Sequence, residues 1–497
     1  MRRISIIAAL AATVAGLLPA GAVAQELPPT PPRNQWYAQN DTGHWSDGSY
    51  VRVDEACTGI EDPDEQVACS LQAFKAEPFT VIAFVDSGIN PYHQEFRAPE
   101  FTLHPSTYIE GYPATPAPLN LAFDVADEQG YAEARTADTA LWNSVAGNRL
   151  YWFPGTRIIG GYSTGAGSTV APWSEERILD DNGHGSGVAS VAAGRWYGSH
   201  PNALIVMVEA LGDSSLNWAT SQPWIDIVSN SWGNLGNVPL GSTTATRNAT
   251  RRGQTVGFAA GNGATNSNSS TVFAPGGPVA DPCKCKTPDS NPSFTAPYGG
   301  PSWVLTVGAI SPINGQAHWW HSIPVDVASF GSKWRAASAF GVRREENRDF
   351  GGTSCATPTS MGVLAAIIER ARETFNDTVG GQRTGQVVAQ AQAGAVLPAT
   401  GPLADGSLTR TEAEAVLLKS AHTVPFDAVQ ATWDYAIRPT TGTPYDHLIQ
   451  GYGVVDKVTK ATALSVLMGE QAMPNRADVD QTIAAVDALR NAIWGNP

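Results

Sequence analysis

After residue 78 the chain repeats one pattern: short apolar runs, rich in β-branched residues, without regular alternation of polar ones. They are Phe79–Val85 (FTVIAFV), Ala203–Val208 (ALIVMV), Ile225–Ser229 (IDIVS), Gln254–Phe258 (QTVGF) and Trp303–Val307 (WVLTV). A strand with one wet face alternates apolar and polar side chains, whereas a continuous run marks a strand covered on both faces. Helical segments separate several of the runs. Residues 185–194 (GSGVASVAAG) are built of small side chains, Met361–Thr374 carries apolar residues at i, i+3 and i+4, and residues 411–421 follow the capping box Thr409-Arg410-Thr411-Glu412. The pattern predicts an α/β fold: a doubly wound, mostly parallel sheet flanked by helices, with insertions.

The insertions and ends lie outside that pattern. Residues 25–76 are polar and rich in Pro, Asp and Glu, residues 97–155 are rich in Pro, Thr and aromatics, and residues 466–497 form a tail with one helix expected at Val479–Trp494. Residues 1–24 read as an export signal. Met1-Arg2-Arg3 is basic, 4–18 is apolar, and Ala22-Val23-Ala24 is a small-residue cleavage site. That apolar stretch is short for a membrane span, which needs about 18 residues, and no later stretch reaches that length. A secreted or periplasmic location follows as the expectation, with no stable membrane insertion. The division expected is a signal at 1–24, an extension or short prosegment at 25–76, a main domain at 77–465 containing the insertion 97–155, and a helical tail at 466–497.

Export changes how the five cysteines are read. In an oxidising compartment Cys57, Cys69, Cys283 and Cys285 can form two disulfides in three pairings. Cys283 and Cys285 are too close for an easy mutual bridge, which favours pairing each with Cys57 or Cys69. A zinc site is the weaker alternative, because no His stands at ligand spacing. Cys355 is left over. Net charge is −15, from 46 acidic and 31 basic residues, which argues against nucleic acid as a partner. With 49 Gly and 35 Pro the chain is loop-rich.

The chemistry-bearing residues stand at element ends. Asp86 closes the run FTVIAFVD and precedes Ser87-Gly88. His184 lies in DDNGHGSG, directly before the small-residue helix. Asn262 lies in FAAGNG, just past another strand, and Ser354 lies in DFGGTSCATPTSMG at the mouth of a helix. In an open α/β sheet, loops at the carboxyl ends of strands converge on one crevice. A nucleophilic serine needs a base, an acid to orient that base, and donors for the developing oxyanion, and this set supplies all three.

These motifs, in this order, resemble the subtilisin-like serine peptidases, the subtilase family. Val85-Asp86-Ser87-Gly88-Ile89 is similar to the family's aspartate motif. Asn182-Gly183-His184-Gly185-Ser186 is similar to its histidine motif, where Thr is more usual than Ser186. Gly352-Thr353-Ser354-Cys355-Ala356-Thr357-Pro358 is similar to its serine motif, where Met is more usual than Cys355. Ser229-Asn230-Ser231-Trp232-Gly233 resembles its substrate-backbone strand, and Gly451–Asp456 its closing motif. The resemblance spans about residues 78–465. It implies an endopeptidase with a catalytic triad of Asp86, His184 and Ser354 and an oxyanion donor at Asn262. Substrate contacts are expected at Ser231, Trp232, Gly233, Ala260, Gly261 and Gly263, with Pro358 in the first turn of the serine's helix.

The implied chemistry requires no cofactor. Structural calcium occurs in the family, yet no ligand loop has readable spacing here, so no metal ligand is assigned. Asp180 and Asp181 read as supporting or solvated residues. Polypeptide substrates and a monomer are expected. A catalytically dead binding module and a dedicated maturation protease, with access narrowed by the insertion 97–155, are the competing readings. Most secreted subtilases carry a longer propeptide than the 25–76 region, so a permanent extension is favoured over a prosegment. Cys355 is read either as a packed hydrophobe or as a reachable thiol that a mercurial would block. Gly161-Tyr162-Ser163-Thr164-Gly165 matches the nucleophile elbow of α/β-hydrolases, but that motif needs a helix directly after its serine. Poor helix material follows here, so a strand ending in a loop is expected.

Overall fold

The structure is a computed structural model, and it describes residues 63–123, 128–164, 177–233, 240–262, 300–313, 316–319, 321, 324–331, 334–342, 347–378, 387–424 and 444–497. The strands are β1 Val81–Asp86, β2 Ala117–Pro118, β3 Leu150–Trp152, β4 Ile158–Ser163, β5 Leu204–Glu209, β6 Ile227–Asn230, β7 Thr255–Ala259, β8 Leu305–Ile313, β9 Gln316–Trp319 and β10 Val327–Phe330. They continue as β11 Trp334–Ala336, β12 Asn347–Phe350, β13 Val387–Gln390, β14 Ser407–Thr409 and β15 Val454–Val455. The helices are α1 Pro63–Ala76, α2 Glu128–Ala137, α3 Thr139–Asn143, α4 His184–Ala193, α5 Asp213–Ser221 and α6 Leu240–Arg251. After them come α7 Thr353–Thr374, α8 Arg410–Ser420, α9 Pro444–Gln450, α10 Lys457–Leu467 and α11 Ala477–Trp494.

Eleven strands form one sheet in the order β15-β10-β8-β7-β6-β1-β5-β4-β3-β2, with β9 paired to β8. Among the described residues, only β3–β4 and β8–β9 are antiparallel pairs in it. The continuous apolar runs have the cause proposed for them. In β1, Ile82 and Phe84 enter one core while Val81, Ala83 and Val85 enter the other, on the opposite face. The first core is closed by α4 and α7, and the second by α1, α5 and α6. Residues Gly185–Ala193 of α4 are all buried, and their small side chains let α4 pack directly on α7.

The chain builds β4 and β5 on one side of β1 and then crosses to lay β6, β7 and β8 on the other. This reversal of strand order opens a crevice outside the carboxyl ends of β1 and its neighbours. The insertion adds β2 and β3 to the sheet edge and leans α2 back on the domain, where the Tyr131 hydroxyl donates to the Ala339 carbonyl at 2.7 Å. Helix α1 is held by Phe74, fully buried against Phe79, Phe101 and Tyr108 with ring centroids 4.8–6.3 Å away. The expected capping box is present at α8, Thr409 and Glu412 each bonding the other's backbone N–H. At the C-terminal end, the guanidinium of Arg490 in α11 is buried and pairs with Asp326 at 2.7 Å. Asp326 also accepts from the Thr306 N–H at 2.7 Å.

No helix among the described residues is long and apolar enough to cross a membrane. Cys69 lies on α1, whereas Cys57, Cys283 and Cys285 lie outside the described residues.

Candidate active site

Asp86 ends β1 and is 1% exposed. Its Oδ1 accepts from the Ser87 N–H at 2.8 Å and stands 2.8 Å from Nδ1 of His184. His184 opens α4 with its imidazole about a third exposed. The two loops are locked by backbone contact. A Cβ on Gly185 would fall 2.1 Å from the Gly88 carbonyl oxygen, and one on Gly88 would fall 2.7 Å from that of Ile178 and 2.9 Å from the Asp180 backbone. Gly88 also holds φ +124°, which other residues rarely adopt. Glycine is therefore required at both positions by close approach.

A second carboxylate organises this turn. Asp180 is fully buried, not solvated. Its Oδ1 accepts from the Ser87 hydroxyl and from the N–H groups of Asn182 and Gly183, and its Oδ2 accepts from Ser186 N–H at 2.8 Å. Ser87 Oγ in turn accepts from Gly185 N–H at 2.9 Å, and Ser186 Oγ accepts from Asn90 N–H at 2.9 Å. Burial by itself would lower the imidazole pKa. The charge and hydrogen bond of Asp86, with the charge of Asp180 behind it, outweigh burial and hold His184 above its ordinary value.

Ser354 is the second residue of α7, which starts at Thr353, eight residues before the periodic run that suggested the helix. Pro358 consequently sits in the second turn and not the first. Lacking an N–H, it leaves the Ser354 carbonyl without its i+4 donor. Ser231, one residue past β6, supplies the missing bond: its hydroxyl donates to the Ser354 carbonyl at 3.1 Å, and the Ser354 hydroxyl donates to the Ser231 carbonyl at 3.2 Å. Asn262 follows β7 by three residues. Its Oδ1 accepts from the Thr353 N–H at 2.9 Å and hydroxyl at 3.0 Å, which fixes the amide beside the start of α7.

Among the other expected contact residues, Gly233 is exposed and Trp232 is partly buried, edge-on to Phe258 at 5.5 Å. Gly261 holds φ +90° and is partly exposed. Ala260 is fully buried and its N–H donates to the Val307 carbonyl, so it offers a substrate no surface. Gly263 lies outside the described residues. Cys355 is fully buried, and burial pushes its thiol well above the ordinary range. It packs in the core and presents no surface to a mercurial. Ser163 is buried as the last residue of β4, opposite Glu209 in register, so the first three residues of the elbow-like motif are strand.

Sequence reasoning did not single out two neighbours of the site. Phe350, which ends β12, sets its ring edge-on to His184 at 5.6 Å. Ala210, whose N–H donates to the Asp86 carbonyl, holds φ +87° although it is not glycine. Strained positions of this kind gather where a site over-determines its backbone. No group of three His, Cys, Asp or Glu side chains suited to a metal ion occurs among the described residues.

Solved structures similar to this chain include the epidermin leader peptide processing serine protease EpiP from Staphylococcus aureus, at 14% identity and TM-score 0.41, covering 78% of this chain and 76% of that one. The prenylagaramide maturation protease PagA is similar at 13% identity and TM-score 0.38, covering 79% of this chain and 96% of that one. No curated protein matches the chain. The model of the subtilase family, Peptidase_S8, matches residues 79–453. That match takes in the loops bearing Asp86, His184, Asn262 and Ser354 together with the strands that carry them, and by it this chain belongs to the subtilase family and is a subtilisin-like peptide hydrolase.

Proposed function

We propose that the protein is an exported serine endopeptidase that cleaves polypeptides through an acyl-enzyme on Ser354. In this reading His184 takes the Ser354 proton as the hydroxyl attacks the scissile carbonyl, then returns it to the leaving amine. Asp86 keeps Nδ1 protonated, so that Nε2 faces the reaction, and stabilises the imidazolium. The side-chain amide nitrogen of Asn262 and the backbone N–H of Ser354 donate to the oxyanion of the tetrahedral intermediate. The partial positive end of α7 adds to that field. Segment 231–233 pairs with the extended acyl portion of the substrate by strand addition, with Gly261 alongside.

The observation that carries the reading is the 2.8 Å contact between His184 Nδ1 and the buried Asp86 carboxylate at the switch point of the sheet. The Ser354 hydroxyl donates to the Ser231 carbonyl at 3.2 Å, so the proposed mechanism requires it to exchange that partner for His184 Nε2. Active-site labelling tests the proposal. A fluorophosphonate probe is expected to label the wild-type enzyme at Ser354 and to leave Ser354→Ala unlabelled. Labelling that survives in Ser354→Ala would refute the assignment. Export is supported by the basic and apolar character of residues 1–24, and sequencing the N-terminus of the secreted enzyme checks it.

A further inference from the structure

The chain 337–342 is a short loop beside the His184 turn. A Cβ placed on Gly183 would lie 3.7 Å from that of Ala339. Three separate elements pin the loop. Ser190 of α4 accepts from the Ala337 N–H at 2.8 Å, Asn90 Nδ2 donates to the carbonyls of Ser338 at 3.0 Å and Gly341 at 2.7 Å, and Tyr131 of α2 donates to the Ala339 carbonyl at 2.7 Å. Its neighbours Ala337, Ala339, Gly341 and Val342 are buried, yet Phe340 at the tip is 56% exposed. A large apolar side chain held in water adds little to the fold, and this one stands on a backbone fixed beside the His184 turn.

Ser231 and Asn262 flank Ser354 on the β6 and β7 side, where an acyl segment paired with 231–233 would lie. The segment beyond the scissile bond must then leave across the N-terminus of α4, where His184 protonates the departing amine. Phe350 and the 337–342 loop border that exit. Resting on the peptidase reading above, we propose that Phe340 is a specificity-determining residue that packs on the first or second side chain of the leaving segment and favours apolar ones. The insertion takes part through Tyr131, which anchors the loop and so sets where the ring stands.

Partitioning of a common acyl-enzyme tests this. The full-length enzyme is charged with an N-acyl peptide ester. The acyl group is then captured by glycinamide, leucinamide, phenylalaninamide or glycyl-leucinamide in competition with water. Both products arise from the same intermediate, so their ratio does not depend on how much of a variant folds. Apolar nucleophiles are expected to outcompete glycinamide by about tenfold in the wild type, the scale of a single apolar contact in a pocket. Phe340→Ser should bring that preference to within about twofold and Phe340→Leu should keep most of it. A preference unchanged in Phe340→Ser, or none in the wild type, overturns the proposal. Failure of the peptidase reading itself is seen separately, as a wild type that neither turns over the ester nor forms an acyl-enzyme.

Discussion

Asp180 has no contact with the imidazole, yet it shapes what the imidazole can do. Two effects of this carboxylate can be separated. Its hydrogen bonds fold the turn 180–186, and its charge helps hold the His184 pKa above the ordinary value against the opposing effect of burial. In the proposed mechanism His184 is the general base and works only when neutral, so activity is expected to fall as pH drops through that raised pKa. Asp180→Asn keeps one acceptor oxygen but removes the charge. Its acid limb of kcat/KM against pH should therefore move to lower pH than in the wild type. The variant should also lose about 1–2 kcal/mol of stability with its charge-assisted bonds. A pH–rate profile that keeps its acid midpoint would show that the charge does not reach the base. The sequence placed Asp180 one turn from the histidine, but distance along the chain could not tell a buried organiser from a solvated acid. Its burial depends on Ile178, Gly88 and Ser87, which come from two separate segments.

Among the elements, α7 departs most from expectation, and the departure has a cause. The helix begins directly after Gly352, its N-cap, and absorbs Pro358 in its second turn because Ser231 replaces the bond that proline removes. Ser231→Ala should leave the Ser354 carbonyl unsatisfied and cost about 1–3 kcal/mol in chemical denaturation. Pro358→Ala in that background restores an N–H four residues on and should recover part of the loss. A double-mutant cycle with no coupling between the two sites would contradict the exchange. Strand content was legible because burial on both faces leaves a continuous apolar signature, and β1, β5, β6, β7 and β8 all fall on the runs that show it. Boundaries slipped by a residue or two, except that β8 runs six residues past the expected Val307, because ladder hydrogen bonds, not composition, decide the end. The start of α7 was displaced by about a turn because proline suits a helix's first turn, whereas Gly352 is the N-cap and Pro358 lies in the second turn. Ala260, expected as a contact residue, is buried for a related reason. The backbone continues the β7–β8 ladder past the last strand residue and keeps that side chain inside.

At the scale of the whole molecule, the ends of the described chain are built into the domain and do not hang from it. Phe74 anchors α1 in the core on the face away from α4 and α7, and α11 inserts Arg490 beside Asp326 under β8. Composition marked both regions as outside the apolar pattern, which is true, but a single buried aromatic or ion pair is invisible to composition. Arg490→Met would leave the Asp326 carboxylate buried without its cation and should cost about 3–5 kcal/mol, read as a lowered denaturant midpoint. A midpoint unchanged within error would mean that α11 is dispensable to the fold.

The order of the strands also bears on when the protein can act. Positions 86, 184, 262 and 354 reach one rim only because β1 is sandwiched between β5 and β6, neighbours more than a hundred residues downstream of it. Contacts of such long sequence separation form late and together. A growing polypeptide that has emerged as far as β12 already holds Asp86 and His184 but has neither Ser354, the proposed nucleophile, nor the helix that packs against α4. In the proposed mechanism, hydrolytic power therefore waits until the chain has grown past α7, and a shorter nascent chain cannot digest its surroundings.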